Sequence, residues 1–407
     1  MGFNKDFMWG AATASYQIEG AVDKDGRKPS IWDITSRVPG RIKHNENGDL
    51  AADHYNRFKE DVKLFKEMGL KYYRFSLSWS RIIPDGTGEI NPQGIKFYND
   101  LINELISAGI EPLVTLFHWD LPYELYLKGG FTNPDFPAWF ENYTRVCIEA
   151  FSDRVKYWVT LNEPQCFIGL GLSMGKHAPF LKCDNKTVLR ALHNTLLGNG
   201  KAIDVIRNEA KQKAVIGMAP TGPSFVPKND SQEEIEKARK ETFSILKVPF
   251  FSTSLYMDPV ILGEYPKEAY EFFGDDMPEI KPGDMDIIHK KLDFYAMNVY
   301  YSLAELKDWS NEFMPYNKNV YNDNEYMGDP RTQMNWGIDE KVLYYSPKFM
   351  YERYKLPIII SENGYSGLDL VSMDGKVHDP QRIDFIGRYL KELKKAANEV
   401  PVIGYFY

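Results

Sequence analysis

Cysteine and paired metal ligands are scarce in this 407-residue sequence. It has only three cysteines, Cys147, Cys166 and Cys183, which are too few and too odd in number for a disulfide framework and show no C-x-x-C spacing. The seven histidines show no H-E-x-x-H or other paired-ligand spacing. We therefore expect no metal site and no cofactor, and the cysteine usage favours a reducing, cytoplasmic location.

Long apolar runs and clusters of positive charge are also missing. No segment approaches the roughly 18 apolar residues of a membrane span, and the first ten residues lack the basic and apolar regions of an export signal. The formal net charge of -8 argues against nucleic acid as a partner, because phosphate backbones are held mainly by clustered Lys and Arg. We expect a globular protein with neither a membrane nor a nucleic acid partner.

Short runs rich in β-branched and aromatic residues alternate with longer amphipathic stretches, which favours repeated βα units and a parallel sheet. We predict one domain over residues 1–407, folded as a (β/α)8 barrel. The predicted strands are 7–15, 71–79, 110–119, 156–163, 214–219, 292–300, 357–362 and 401–407. Helices are predicted at 53–68, 94–108, 187–211, 231–248 and 381–398, with Asp53 as an N-cap and Gly69 and Gly109 as C-terminal caps.

The carboxyl ends of the strands of such a barrel meet at one mouth, so residues that close different strands converge there. In this sequence these residues are amides, carboxylates, aromatics, one arginine and one histidine. They are Gln17, Glu19, Arg74, Trp79, His118, Trp119, Asn162, Glu163, Asn298, Tyr300, Glu362 and Asn363. Trp336, in an irregular stretch at about 301–344, is a further candidate for substrate contact or an ordinary loop anchor. Trp32, Trp139 and Trp158 are expected in the core.

Two of these residues, Glu163 and Glu362, each close a hydrophobic strand. They lie in Thr-Leu-Asn-Glu-Pro (160–164) and Ile-Ser-Glu-Asn-Gly (360–364). A single glutamate at a loop start is most often a solvated surface carboxylate. Two carboxylates opposed across a barrel mouth, however, suit cleavage of a glycosidic bond, in which one protonates the leaving oxygen and the other attacks the anomeric carbon.

The two glutamate motifs belong to an ordered set of six that resembles glycoside hydrolase family 1 over nearly the whole chain. The other four are YQIEGA (16–21), PSIWD (29–33), YRFSLSWSRI (73–82) and FHWDLP (117–122). The resemblance implies a retaining β-glycosidase of the β-glucosidase type. It also implies that Glu163 is the general acid/base and that Glu362 is the nucleophile.

The resemblance also implies roles for the neighbouring polar residues. Gln17, His118 and Asn162 would bind sugar hydroxyls, with Asn162 on the 2-OH, and we expect Trp119, Asn298 and Trp336 to contact the substrate as well. Arg74 would lie beside the nucleophile, and Tyr300 would donate a hydrogen bond to it.

These roles agree with elementary electrostatics. Arg74 and the hydroxyl of Tyr300 would favour the charged form of Glu362, whereas a partly dry aromatic wall and a second carboxylate would keep Glu163 protonated. Each supporting residue also has a structural alternative: Arg74 as a charge partner inside the barrel, Tyr300 as a packed aromatic, and His118 as a core histidine.

The resemblance stops at Tyr407, in the eighth strand, whereas relatives continue with a tryptophan, a Glu-Trp loop and a last helix. We therefore expect a truncation after this strand, with its outer face covered by another copy of the chain or by a C-terminal fragment. Three functions stay open. The chain is an exo-β-glycosidase acting on β-glucosides or short β-linked oligosaccharides, an inactive or weakly active sugar-binding barrel, or a 6-phospho-β-glycosidase.

Overall fold

Eight parallel strands, β1 to β8, close into a barrel in the order of the sequence. The computed structural model describes residues 3–246, 249–303 and 330–407. The predicted (β/α)8 barrel is confirmed, and every strand lies within its predicted range. The strands are Met8–Ala12, Tyr72–Ser76, Glu111–Phe117, Tyr157–Asn162, Val215–Ala219, Phe294–Asn298, Ile358–Glu362 and Val402–Phe406.

The helices of the described residues, α1 to α14, connect the strands and surround the barrel. They are Ser15–Ile18, Ile31–Thr35, His54–Glu67, Trp79–Ile82, Pro92–Ser107, Tyr123–Leu127, Phe136–Phe151, Asn185–Glu209, Gln232–Phe243, Thr253–Ile261, Lys267–Phe273, Asp284–Ile288, Val342–Tyr354 and Pro380–Ala397. A π-helix, Gln165–Met174, follows β4. Within the described ranges, no helix combines the length and the apolar character needed to span a bilayer.

The five predicted helices correspond to α3, α5, α8, α9 and α14. Helix α9 ends at Phe243, before the predicted end at 248, and residues 247 and 248 lie outside the described residues. Gly69 and Gly109, at φ values of 78° and 77°, follow the ends of α3 and α5, as predicted for C-terminal caps. Asp53 is the N-cap residue of α3, as predicted, but it makes no side-chain capping bond. Its carboxylate instead accepts a hydrogen bond from the side chain of Asn56.

The barrel interior is closed by an apolar layer to which seven of the eight strands contribute. Its members are Met8, Leu113, Val159, Ala219, Phe294, Ala296, Ile359 and Phe406. A second, larger core fills the space between the strands and the surrounding helices. The interior layer therefore forms an apolar floor below the polar residues that close the strands.

The outer face of β8 is partly open. Ile403 on this strand is 37% exposed, whereas Tyr405 is buried against Trp9 and donates a hydrogen bond of 3.0 Å to Asn363. The predicted truncation after this strand is not confirmed, and the coverage of its outer face by a second chain or a C-terminal fragment stays a prediction.

The close crossing of α8 and α12 yields a test of the packing. At Gly200 a Cβ atom would lie 1.8 Å from the carbonyl oxygen of Ile287. Gly200→Ala should push the two helices apart and lower the free energy of unfolding by about 1 to 3 kcal/mol. At Gly387 in α14 a Cβ atom would meet nothing within 4 Å, so Gly387→Ala is the matched control and should raise the stability by about 0.5 to 1 kcal/mol. Urea unfolding curves measure both changes, and equal stabilities of the two variants would contradict the close crossing.

Candidate functional site

A cavity of 810 Å³ opens at the carboxyl ends of the strands, which is within the usual range for a small-molecule site. Most of the predicted site residues line it: Gln17, His118, Trp119, Glu163, Asn298, Tyr300, Trp336, Glu362 and Asn363. Of the others, Arg74 and Asn162 are buried in a hydrogen-bonded layer beneath the cavity, whereas Glu19 and Trp79 are buried away from it. The structure thus brings together residues from seven separate segments of the chain.

The polar layer beneath the cavity follows from strand alternation. Residues two apart on a strand face the same side. The residue two positions after each apolar floor residue therefore also points inward. On three strands that next residue is polar. The pairs are Leu113 and Thr115 on β3, Ala296 and Asn298 on β6, and Ile359 and Ser361 on β7. The three polar side chains lie above the floor and bind their neighbours through hydrogen bonds.

Strand β4 departs from this alternation. Val159 belongs to the floor, but Leu161 packs in the outer core, and the pairing of β4 with β5 shifts register between Val159 and Asn162. The shift turns Asn162 inward, as irregular pairing next to active sites often does. Glu163 then follows at φ 44°, a left-handed conformation that costs energy for a residue with a side chain.

Arg74 is the central residue of the polar layer, and it is only 1% exposed. Its Nε donates to the Thr115 hydroxyl at 3.0 Å, and its Nη2 donates to Asn162 Oδ1 at 2.6 Å. Its Nη1 donates to Glu362 Oε1 at 2.6 Å and to the Ser361 carbonyl at 3.1 Å. The buried charge is therefore paired with a carboxylate and hydrogen-bonded through all three nitrogens.

Glu362 lies in an environment that favours its carboxylate form. Besides the bond from Arg74, its Oε2 accepts a hydrogen bond of 2.6 Å from the Tyr300 hydroxyl. Burial alone would raise the pKa of Glu362, but Arg74 and Tyr300 outweigh burial and hold it below its usual range. Burial and the charge of Glu362 raise the pKa of Tyr300, so its hydroxyl remains a donor.

Glu163 lies in an environment that favours its neutral form. Burial, followed by repulsion from Glu362, raises the pKa of Glu163 to about 7. Two donors oppose this effect in part: Asn298 Nδ2 lies 3.0 Å from Oε1, and Cys166 Sγ lies 3.1 Å from Oε2. The two carboxyl groups of the cavity therefore differ in protonation near neutral pH.

The amide of Asn162 has one possible orientation. Its Oδ1 faces two donors, Arg74 Nη2 and Asn298 Nδ2, the latter at 2.8 Å, so its Nδ2 must face His118 Nε2 at 3.0 Å. His118 therefore accepts at Nε2 and carries its proton on Nδ1. Burial lowers the pKa of His118 to about 3, which keeps the ring neutral. Asn162 is fully buried behind the cavity wall, and its contact with a sugar 2-OH stays a prediction.

The remaining predicted contacts lie higher in the cavity. Gln17 is on α1 with its side chain exposed. Trp119 donates its indole N–H to the Asn162 carbonyl at 3.0 Å. The Trp336 ring lies 5.2 Å from that of Tyr300 and packs against the cavity wall. Residues 304–329 of the predicted irregular stretch lie outside the described residues.

Three sequence predictions need correction. Trp79 was expected at the mouth but is fully buried in the outer core. Trp32 was expected in the core but lines the cavity, where its ring lies 4.6 Å from that of His177. Glu19 was expected at the mouth but is buried elsewhere, where its carboxylate accepts bonds from Arg81 at 3.0 Å and Tyr98 at 2.6 Å. Trp158, by contrast, is a buried core residue as expected.

The sequence analysis missed Thr115, Cys166 and Ser361 as members of the site. Strand alternation could have identified Thr115 and Ser361, because each lies two residues after an inward-facing apolar residue. Cys166 carries no such pattern. It reaches Glu163 because the π-helix begins immediately after β4, and its backbone N–H bonds to the Glu163 carbonyl at 2.9 Å.

Comparison with known proteins gives consistent matches. The profile of glycosyl hydrolase family 1 matches residues 1–407. The chain is 41% identical over 406 residues to β-glucosidase A of Thermotoga maritima, an alignment that covers 99% of this chain and 88% of that one. It is 37% identical over 428 residues to an aryl-phospho-β-D-glucosidase of Bacillus subtilis, covering 99% and 87%. The solved family 1 β-glucosidase from T. maritima superposes with a TM-score of 0.88 at 39% identity, covering 99% and 88%.

The hydrogen bond from Tyr300 to Glu362 can be tested by titration. Tyr300→Phe removes a donor to the charged carboxylate, so the pKa of Glu362 should rise by about one unit. Carboxyl-labelled glutamate NMR measures the titration, with the Glu362 signal identified by its absence in Glu362→Gln. Tyr365→Phe changes another tyrosine of the cavity and should leave the pKa of Glu362 unchanged. If the pKa of Glu362 were also unchanged in Tyr300→Phe, this hydrogen bond would not stabilise the carboxylate.

Proposed function

The chain belongs to glycosyl hydrolase family 1, and from that membership we propose how its two buried glutamates act. It is a β-glycosidase, and we propose that it releases single sugars from β-glucosides or short β-linked oligosaccharides with retention at the anomeric carbon. Retention is the outcome expected of the family, and the opposite electrostatic environments of Glu163 and Glu362 carry the assignment of the two roles. The mechanism needs one carboxylate and one carboxylic acid in the same cavity. Arg74 and Tyr300 favour the carboxylate at Glu362, whereas burial and repulsion from Glu362 favour the acid at Glu163.

In the first step, the Glu362 carboxylate attacks the anomeric carbon and forms a glycosyl ester. Glu163 donates its proton to the leaving oxygen at the same time. The low pKa of Glu362 keeps the nucleophile charged, and the raised pKa of Glu163 keeps the acid protonated up to about pH 7. Arg74 and Tyr300 hold the nucleophile through one oxygen each.

In the second step, Glu163 removes a proton from water, and the water oxygen attacks the anomeric carbon. This attack releases the sugar and regenerates the Glu362 carboxylate. Repulsion from Glu362 is one cause of the raised pKa of Glu163, and the ester removes that charge. The pKa of Glu163 should therefore fall in the intermediate, where the residue has to act as a base.

The remaining cavity residues are proposed to bind the sugar. Gln17 and His118 offer polar groups for hydroxyls, while Trp119 and Trp336 offer aromatic faces for the C–H surfaces of the rings. Asn162 would reach the 2-OH from beneath, and Asn298 holds Glu163 in place. For the residues other than Asn162, the position in the cavity lining supports the role.

The two carboxyl roles can be separated by chemical rescue with azide. Glu362→Gly should lose hydrolysis, and azide should then give an α-glycosyl azide from an activated aryl β-glucoside, because the small anion enters the space left by the nucleophile and displaces the phenolate with inversion. Glu163→Ala should give a β-glycosyl azide from an activated aryl glucoside, because azide then attacks the ester in place of water. NMR of the anomeric proton distinguishes the products. Exchanged products would show that the roles are reversed.

A 6-phospho-β-glycosidase is the second candidate, supported by the similarity to the aryl-phospho-β-D-glucosidase of Bacillus subtilis. The charges at the cavity rim weigh against it. Arg382 lines the cavity, but Asp369 pairs with it at 2.8 Å and Asp379 also binds it, so its charge is already balanced. An anionic sugar would have to compete with both carboxylates.

Turnover of 4-nitrophenyl β-glucoside and of its 6-phosphate separates the candidate functions. We expect kcat/KM to be at least about tenfold higher for the unphosphorylated sugar, a difference of about 1.4 kcal/mol in transition-state binding. The reverse order would favour the phospho-glycosidase. Sugar binding without turnover of either substrate would favour the sugar-binding barrel, and Glu362→Gln gives the background rate for both.

A further inference from the structure

The carboxyl group of Glu163 is held by two donors of different character. Asn298 Nδ2 donates to Oε1 at 3.0 Å, and the thiol of Cys166 donates to Oε2 at 3.1 Å. An amide N–H can only donate, whereas a thiol can both donate and accept. The two oxygens of Glu163 are therefore chemically different.

The donor at Oε1 cannot reverse its direction. The Ser361 hydroxyl donates to Asn298 Oδ1 at 2.7 Å, which fixes the amide orientation. Asn298 Nδ2 also donates to Asn162 Oδ1 at 2.8 Å, an oxygen that accepts from the always-charged Arg74 as well. Oε1 of Glu163 consequently faces an N–H in both protonation states, and the acidic proton has to reside on Oε2.

The thiol at Oε2 can adapt to both states. Burial, followed by the neighbouring charge of Glu163, raises the pKa of the Cys166 thiol well above its usual range, so the S–H persists throughout the working pH range. The S–H bond can point at Oε2 when Glu163 is a carboxylate. When Oε2 carries the proton, the sulfur can rotate and accept a weak hydrogen bond.

Backbone and packing hold Cys166 in this place. Its N–H bonds to the Glu163 carbonyl at 2.9 Å, at the start of the π-helix Gln165–Met174. Its side chain is buried in a small cluster with Leu170, against Trp119 and Phe251. π-helical turns are frequent at functional sites, and this one sets the sulfur beside the carboxyl group.

We propose that Cys166 is a positioning residue for Glu163, whose thiol accommodates the transferable proton on Oε2 and stabilises the carboxylate that remains after proton transfer. This inference rests on the proposed acid/base role of Glu163. It adds a residue other than the two glutamates to the control of proton transfer.

Other groups also act on Glu163, and they stay in place when Cys166 is replaced. Glu362 at the end of β7 disfavours its charged form, and Arg74 on β2 favours it. The hydroxyl of Tyr300, after β6, remains protonated, and His118, after β3, remains neutral. A change in the titration of Glu163 on substitution of Cys166 is therefore attributable to the thiol.

The pH dependence of kcat/KM for an aryl β-glucoside with a poor leaving group tests the proposal. The active free enzyme has Glu163 protonated, so activity should fall as the pH rises through about 7. Cys166→Ala removes a donor to the charged form, which raises the pKa of Glu163. The alkaline fall should therefore move to higher pH by about 0.5 to 1 unit.

Three further variants separate the hydrogen bond from packing. Cys166→Val restores volume without a donor and should show the same shift as Cys166→Ala. Cys166→Ser keeps a donor and should return the fall to the wild-type pH. Cys183→Ala makes the same substitution outside the cavity lining and should have no effect. A wild-type pH profile in both Cys166→Ala and Cys166→Val, or an equal shift in Cys166→Ser, would overturn the proposal.

Glu163→Gln distinguishes failure of this inference from failure of the proposed function. With a dinitrophenyl glucoside, which needs little acid assistance, this variant should lose the alkaline fall altogether. If the fall persists, Glu163 is not the acid and the proposed function fails. If the fall disappears in Glu163→Gln but does not move in Cys166→Ala, only the role of Cys166 is wrong.

Discussion

The buried guanidinium of Arg74 is the interaction on which the arrangement of the cavity floor depends. A charge that is 1% exposed is tolerable only if it is paired and its N–H groups are bonded, and here the partners come from β3, β4 and β7. Because arginine cannot deprotonate, every group that faces it has to accept. Arg74 therefore keeps Glu362 charged and orients the Asn162 amide.

The orientation of Asn162 in turn fixes the orientation of its neighbours. Once Asn162 presents its oxygen to Arg74, its nitrogen must face His118, and Asn298 must donate to Asn162 and to Glu163. One fixed charge thus determines the direction of a chain of hydrogen bonds that ends at Glu163, the proposed acid/base. The two glutamates differ in pKa in part because Glu362 contacts the Arg74 cation directly, whereas Glu163 is connected to it only through Asn162 and Asn298.

Part of this arrangement lowers stability. Glu163 and Trp119 adopt φ values of 44° and 81°, in the left-handed region that a side chain disfavours. Both are at the cavity, where such strain is commonly found, and the apolar barrel floor and the outer core offset it. Functional sites are expected to be less stable than the scaffold around them.

The eight strands and the main helices could be predicted because their apolar periodicity is local, and the strand-closing motifs identified Glu163, Glu362, Arg74 and Tyr300. The inward turn of Asn162 could not be predicted. It depends on a shift in the pairing of β4 with β5, and pairing involves two segments more than fifty residues apart. The contact of Cys166 with Glu163 likewise depends on a π-helical turn that has no sequence pattern.

By itself, the sequence determined the barrel and the two glutamates, because alternation along a strand and the residue that closes it are properties of a few neighbouring residues. The sequence also predicted that Glu362 is the charged glutamate. Only the tertiary structure decided which way each amide points and which donors face the two oxygens of Glu163. Those properties depend on distances of about 3 Å between side chains from different strands, and such distances exist only after the barrel closes.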